Sequence, residues 1–263
     1  MAGVTLEPGV VWLVGAGPGD PGLLTLNAAQ ALAQADIVLH DALVSPEILA
    51  MAPQARLEPV GKRAGGERTP QMRINERLIE LARDGHRVVR LKGGDPMVFG
   101  RGAEEALALV AAGIRFRIVP GISAGIGGLA AAGIPVTHRG LAHCVAFVTG
   151  HDASGELPDI DWPALVRGAD VLVLYMALRQ IDAIAWHLRA AGRDAAEPVA
   201  FITEATTPRQ RVAITTLADA EAIAATIPRH APTLIVVGPV VALRALLACQ
   251  DTNPQPEEER HAA

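Results

Sequence analysis

From Arg90 to Glu105 the chain reads Arg-Leu-Lys-Gly-Gly-Asp-Pro-Met-Val-Phe-Gly-Arg-Gly-Ala-Glu-Glu, a strand end, a turn and a helix start. Gly93 and Gly94 free the backbone to turn and let a ligand approach it closely. Asp95 accepts hydrogen bonds, Pro96 stiffens the exit, and Lys92 and Arg101 flank the loop with positive charge. Open α/β sheets place their ligands at the carboxyl ends of strands. The stretch therefore predicts a small-molecule site, although a tight turn with a helix cap would use several of the same residues.

A second loop echoes the first. Gly17-Pro18-Gly19-Asp20-Pro21-Gly22 fits the pattern G-x-G-x-x-G, follows an apolar run and opens a helix. Asp41 ends the next apolar run, where a ribose-binding acid would stand, so a dinucleotide-dependent oxidoreductase is the rival reading. Two features oppose it. Pro18 and Pro21 have no N–H to offer a pyrophosphate, and Asp20 puts negative charge where phosphates would lie.

Composition narrows the function classes. Half of the 263 residues are hydrophobic, enough for a large core, and the formal net charge of −5 argues against a general nucleic-acid or membrane-surface binder. Aromatics are only 3 %, too few for base-stacking platforms. Between Gly61 and Arg101, however, ten Lys or Arg stand against five Asp or Glu. A solvated helix face between Pro70 and Asp84 accounts for part of that excess, and a polyanionic substrate near Lys62, Arg63, Lys92 and Arg101 would account for the rest. Cys144 and Cys249 form no paired motif and are expected as buried free thiols, in keeping with a cytoplasmic protein. Ile118 to Thr137 is charge-free, but its five glycines and two prolines point to a packed segment beside a ligand rather than a membrane span.

The elements that must position these loops alternate. Strands are expected at Val10–Val14, Ile37–His40, Arg56–Val60, Val88–Leu91 and Arg115–Val119. Helices are expected at Leu23–Ala35, opened by Asp20-Pro21, and at Pro46–Met51, Met72–Arg83 and Ala103–Ala112. This order predicts right-handed βαβ units and a parallel sheet. Further strands are expected at Cys144–Thr149, Val171–Met176, Pro198–Ile202, Arg211–Thr215 and Thr233–Val237. Helices are expected at Arg179–Ala191, Leu217–Ala225 and Val240–Cys249. Nothing between Ile202 and Ile214 reads as a helix, so part of this second sheet is expected to be antiparallel. The fold class is α/β: an N-terminal α/β domain over 8–138 with a parallel sheet, a C-terminal α/β domain over 139–250 with a mixed sheet, a cleft between them, and a disordered tail over 251–263.

Taken together the motifs resemble the tetrapyrrole methyltransferases from about Val11 to Leu243. The resemblance rests on Val14-Gly15-Ala16-Gly17-Pro18-Gly19-Asp20-Pro21, Asp41-Ala42-Leu43-Val44, Gly61-Lys62-Arg63 and the stretch Arg90–Glu105. Pro120-Gly121-Ile122-Ser123-Ala124, Gly133–Arg139, Thr149-Gly150-His151, Tyr175-Met176 and Gln210-Arg211 complete it. The Gly-Lys-Arg, Leu-Lys-Gly-Gly-Asp-Pro and Thr-His-Arg versions point to the branch acting on uroporphyrinogen III; a later precorrin methyltransferase of the same fold is the alternative.

The resemblance implies transfer of methyl groups from S-adenosyl-L-methionine to C-2 and C-7 of uroporphyrinogen III, for sirohaem or cobalamin synthesis. It also implies a cytoplasmic homodimer with the cofactor in the interdomain cleft. Pro18, Gly93, Gly94, Asp95, Val98, Ser123, Ala124, Met176 and Ala205 match the family's cofactor contacts. Asp41 matches its proposed proton acceptor and Lys62 its proposed donor. Lys92, Arg101, His138 and Arg139 are candidates to pair with substrate carboxylates, a task that suits Arg forks. A sulfonium methyl is already activated, so no metal is expected. One departure stands out: Thr203-Glu204-Ala205-Thr206 has Ala where the family often has Gly, which asks for ordinary backbone angles at Ala205 or a slightly different approach to the cofactor.

Overall fold

The computed structural model describes residues 5–60, 70–152 and 154–247. Five parallel strands make the first sheet: β1 (Val10–Gly15), β2 (Ile37–His40), β3 (Arg56–Pro59), β4 (Val88–Lys92) and β5 (Arg115–Val119), in the order β3-β2-β4-β1-β5. β4 lies between β2 and β1, an order different from that of the dinucleotide-binding fold, in which the first strand adjoins the second. The near-continuous apolar runs of β1 and β4 follow from burial on both faces. β5 pairs only with β1, and Arg115 and Arg117 on this edge are exposed, Arg117 lying 4.7 Å from the centre of the Trp12 ring.

One face is covered by α1 (Leu26–Gln34) and α2 (Pro46–Leu49), the other by α3 (Gln71–Arg83) and α4 (Gly102–Ala111). On α3 the stripe Ile74, Leu78, Leu81 and Ala82 faces inward at helical spacing. On its polar face Arg77 bridges Glu58 and Glu80, and Arg73 bridges Glu76, so much of the local positive charge is matched locally. The first helix starts later than Asp20-Pro21 suggests. Asp20 caps only a short 3-10 turn, Pro21–Leu23, and Thr25 caps α1 by accepting from the Ala28 N–H at 3.2 Å.

The second sheet has the order β6-β7-β10-β8-β9, from β6 (Val145–Thr149), β7 (Val171–Tyr175), β8 (Pro198–Thr203), β9 (Arg211–Thr216) and β10 (Thr233–Val237). β6 and β7 are parallel, while β10 runs antiparallel to β7 and β8 and β9 antiparallel to β8, as the helix-free stretch predicts. α6 (Trp162–Gly168), α7 (Ile181–Ala190) and α8 (Ala220–Thr226) cover one face. The other face takes α5 (Ala124–Ala131) and the 3-10 turn Pro239–Leu243, which leads into α9 (Arg244–Leu247). Leu129, Ala132 and Ile134 thus join the core of the second sheet although they precede residue 139. Cys144 is exposed rather than buried, because it leads into β6, an edge strand paired on one side only. Cys249 and the tail 251–263 lie outside the described residues. No helix among the described residues is long and apolar enough to cross a membrane.

Candidate active site

The two echoing glycine loops meet. Gly17 N–H donates to Gly94 O at 3.1 Å and Gly94 N–H to Gly17 O at 2.7 Å, so the loops after β1 and β4 form a small antiparallel bridge. Gly94 needs its freedom, with φ at +67°. A third loop locks onto them at Gly121, where a Cβ would fall 2.2 Å from Gly94 O. Asp95 ties the assembly: Oδ1 accepts from Met97 N–H at 2.7 Å and Oδ2 from Gly121 N–H at 3.0 Å. Gly93 differs from its neighbours, since a Cβ there would meet only the Leu43 Cβ, at 3.4 Å. Its backbone is bare on that side. Val98 N–H closes the turn onto Asp95 O.

The second domain joins through Tyr175 at the end of β7. Its Oη lies 2.7 Å from Ser123 Oγ and accepts from Gly125 N–H at 2.7 Å, and burial pushes its phenol above the usual range. Glycine at 125 is required, since a Cβ would fall 2.2 Å from that oxygen. Phe99 and Phe147 pack against the same ring at centroid distances of 5.0 and 5.9 Å. Met176 follows with φ at +55° and its side chain 44 % exposed. A non-glycine residue in the left-handed region is the kind of strain found at functional sites. Ala205 has ordinary backbone angles, as expected; the positive φ values fall on Glu204 and Thr206 around it. Its methyl is buried against Gly128, so a ligand would meet its backbone. Thr206 Oγ1 accepts from Asp20 N–H at 3.1 Å, and Pro18 abuts Gly127. The expected cofactor residues Pro18, Gly93, Gly94, Asp95, Val98, Ser123, Ala124, Met176 and Ala205 therefore lie on loops that touch one another.

Beneath these loops is a cluster of charge. Asp41 N–H donates to Leu91 O at 3.2 Å, and its Oδ1 accepts from Arg90 Nη2 at 2.5 Å. Arg90 Nε donates to Glu105 Oε1 at 3.0 Å, and Lys92 Nζ reaches the same oxygen at 2.9 Å. Lys92 is thus placed otherwise than expected. Its side chain is 3 % exposed, because β4 turns it under α4 onto Glu105, away from any substrate at the surface. Burial pushes the Lys92 ammonium below its ordinary pKa, with Arg90 adding to the shift and Glu105 and Asp41 opposing it. Arg90, Glu105 and Tyr175 are not flagged by the motifs as site residues. Only the cost of burying an Arg at a strand end hints at the first.

The exposed cations differ. Arg101, with φ at +59°, precedes α4 and pairs with Glu104 at 2.6 Å. His138 and Arg139 are exposed in a turn closed by the bond from His138 N–H to Ala142 O at 3.1 Å. No hydrogen bond among the described residues ties their side chains to the glycine loops. Lys62 lies outside the described residues.

Comparison with known proteins decides the family. Residues 10–221 match the family model described as Tetrapyrrole (Corrin/Porphyrin) Methylases. The chain belongs to the tetrapyrrole methylases. A uroporphyrinogen-III C-methyltransferase of Sinorhizobium sp is 60 % identical over 244 residues, covering 92 % of this chain and 87 % of the relative. Siroheme synthase 2 of Aeromonas hydrophila is 52 % identical over 92 % of the chain, which spans 51 % of that relative's length. Among solved tetrapyrrole methylases, a uroporphyrin-III C-methyltransferase of Thermus thermophilus is 44 % identical, with a TM-score of 0.78 over 92 % of this chain and 98 % of that one. Another Thermus thermophilus structure, complexed with S-adenyl homocysteine, is 41 % identical with a TM-score of 0.77 over 89 % of this chain and 93 % of that one.

Proposed function

We propose that this methylase transfers methyl groups from S-adenosyl-L-methionine to C-2 and C-7 of uroporphyrinogen III, giving precorrin-2 and S-adenosylhomocysteine. The observation that carries the reading is the 60 % identity to a uroporphyrinogen-III C-methyltransferase across 92 % of the chain. The residues present fit the cofactor: bare backbone at Gly93, a positive-φ glycine at 94, and an exposed, positive-φ Met176 lie on loops linked through Ser123 and Tyr175. Bound there, S-adenosylmethionine supplies a methyl group that is already activated.

The protein's part is alignment and proton removal. Interlocked loops fix the backbone around Gly93 and Gly94, and a well-set geometry removes several kcal/mol of barrier. After methylation the macrocycle, not the newly quaternary carbon, must lose a proton. Asp41 is the acceptor in this reading: Oδ1 is bonded to Arg90, the side chain is 31 % exposed, and no hydrogen bond among the described residues engages Oδ2, which would take the proton. Lys62 is the corresponding donor. Arg101, His138 and Arg139 are exposed cations or donors for the substrate's carboxylates, Arg101 exchanging Glu104 for them. In this reading the enzyme acts as a homodimer in the cytoplasm; service in sirohaem synthesis is supported by its siroheme synthase relatives, about half of whose length the chain spans.

Incubation with S-adenosylmethionine and a panel of uroporphyrinogen III and precorrin substrates tests this. Mass spectrometry is expected to show a doubly methylated product from uroporphyrinogen III; absence of methyl incorporation into it overturns the reading.

A further inference from the structure

Parallel strands alternate their faces, so Val88, Arg90 and Lys92 of β4 point to the same side of the first sheet. On that side lie α3, α4 and an apolar core that includes Val88, Leu13 and Leu39. Two cations at the carboxyl end of this row replace what would be two more apolar side chains. Burying one ion without a partner is very costly, so a buried pair persists only with close partners and good geometry.

Arg90 has such geometry. Its side chain is 2 % exposed, and its donors go three ways: Nε to Glu105, Nη1 to the carbonyls of Leu39 at 3.4 Å and Leu91 at 3.2 Å, and Nη2 to Asp41. Glu105 is fully buried on α4 and gathers Arg90, Lys92 and Gln71 on Oε1, the last at 3.0 Å, while its Oε2 has no partner. A packing role alone would not need a guanidinium reaching from this core to a carboxylate at the protein surface. The planar fork joins the two sites rigidly in a way an ammonium cannot.

We infer that Arg90, anchored by Glu105, is a positioning residue for methyl transfer, fixing where the Asp41 carboxylate points and keeping a cation against it. The inference rests on the reading of Asp41 as the proton acceptor. Oδ1 is taken by the clamp, and the side chain stays 31 % exposed. Among the described residues the charged groups around Asp41 are Arg90 and Lys92 from β4 and Glu105 from α4, with His40 Nδ1 bonded to the Asp41 carbonyl. Burial works against the Arg90 charge, but Asp41 and Glu105 together outweigh it and hold its pKa above the ordinary value. The cation is therefore present at every pH at which the enzyme works.

The test uses the full chain with Arg90→Lys, Glu105→Gln, Asp41→Asn and the double variant Asp41→Asn/Arg90→Lys. S-adenosylhomocysteine affinity, and KM and kcat with uroporphyrinogen III, are measured for each. Arg90→Lys is expected to leave S-adenosylhomocysteine affinity and KM within about threefold and to lower kcat by at least about tenfold, the signature of an interaction that matters in the transition state. Glu105→Gln, nearly the same shape, is expected to lower kcat in the same way with KM little changed, and decides the matter if Arg90→Lys fails to bind S-adenosylhomocysteine. In the Asp41→Asn background the Arg90 change is expected to cost almost nothing more, since both act through one group. A kcat of Arg90→Lys within about threefold of the unaltered protein, or a full and additive loss in the double variant, overturns the positioning role. Unchanged turnover of Asp41→Asn overturns instead the reading of Asp41 as acceptor, and the positioning role with it.

Discussion

The loops after β1 and β4 share Gly-Asp-Pro, follow buried parallel strands and hydrogen-bond to each other, yet they are built for different tasks. After β1, Asp20 is exposed; its carboxylate turns back to Gly22 N–H at 2.7 Å and its own N–H goes to Thr206 of the second domain. After β4, Asp95 holds two N–H groups, one of them on the separate loop at Gly121. The strands beneath differ more. In register, Leu13 and Gly15 of β1 stand beside Arg90 and Lys92 of β4. One loop therefore rests on apolar core and joins the domains, and the other rests on a buried charge cluster that reaches Asp41. The local pattern makes a turn; the strand below decides its use.

Removing each acid tests this contrast most severely. Asp95→Ala abandons two bonds to a charged acceptor, worth together about 3 kcal/mol or more, so S-adenosylhomocysteine affinity is expected to fall on the order of 100-fold. Asp20→Ala loses a turn cap, about 1 kcal/mol of stability, with the affinity changed less than about threefold. Calorimetric titration and thermal unfolding of the two variants measure both effects, and equal losses of affinity would erase the distinction between the loops.

The adjacent glycines sharpen it at a smaller scale. Gly94→Ala forces a Cβ into a positive-φ site and is expected to cost about 1–2 kcal/mol of stability. Gly93→Ala is expected to keep stability within about 0.5 kcal/mol, the range of a substitution that meets no special feature, because its Cβ meets only Leu43. Its effect is on ligand binding: a methyl on the bare side of Gly93 is expected to weaken S-adenosylhomocysteine about tenfold by crowding it, comparable to a core overpacking cost. Normal affinity in the folded Gly93→Ala variant would move the cofactor off this loop.

Much of this arrangement is written in short stretches. Ile37–His40, Arg115–Val119 and Thr233–Val237 read as strands end to end, since apolar β-branched runs bounded by turn residues leave little else. α5 is not legible, because Gly125, Gly127 and Gly128 look like a loop; Gly125 and Gly128 are there to admit Tyr175 and Ala205. α6 is missed because seven residues with a Pro near the start give no periodic signal, although Asp161 caps it at Ala164 N–H. The placing of β4 between β1 and β2 is a long-range pairing that no local pattern encodes. The site divides in the same way. The glycine loops announce themselves by composition and Ser123 and Asp41 through the family resemblance, whereas the Arg90–Glu105 pair exists only because α4 folds back onto one face of β4.

The smallest expected effect concerns Lys92, and it separates the charged strand end of β4 from the apolar one of β1 by pH alone. Burial first, and the Arg90 charge second, lower the Lys92 pKa from its ordinary 10.5. Between the folded value and 10.5 the unfolded chain binds a proton that the folded chain has released, so stability rises with pH across that window. Below the folded value both states hold the proton, and the full cost of burying the cation remains. Lys92→Met keeps the length of the side chain and removes this titration. Denaturant unfolding from neutral to alkaline pH is therefore expected to show the native protein gaining stability relative to Lys92→Met as pH rises. A constant difference between the two would mean that Lys92 keeps its ordinary affinity for protons, and that the end of β4 is no more hostile to an isolated charge than the surface.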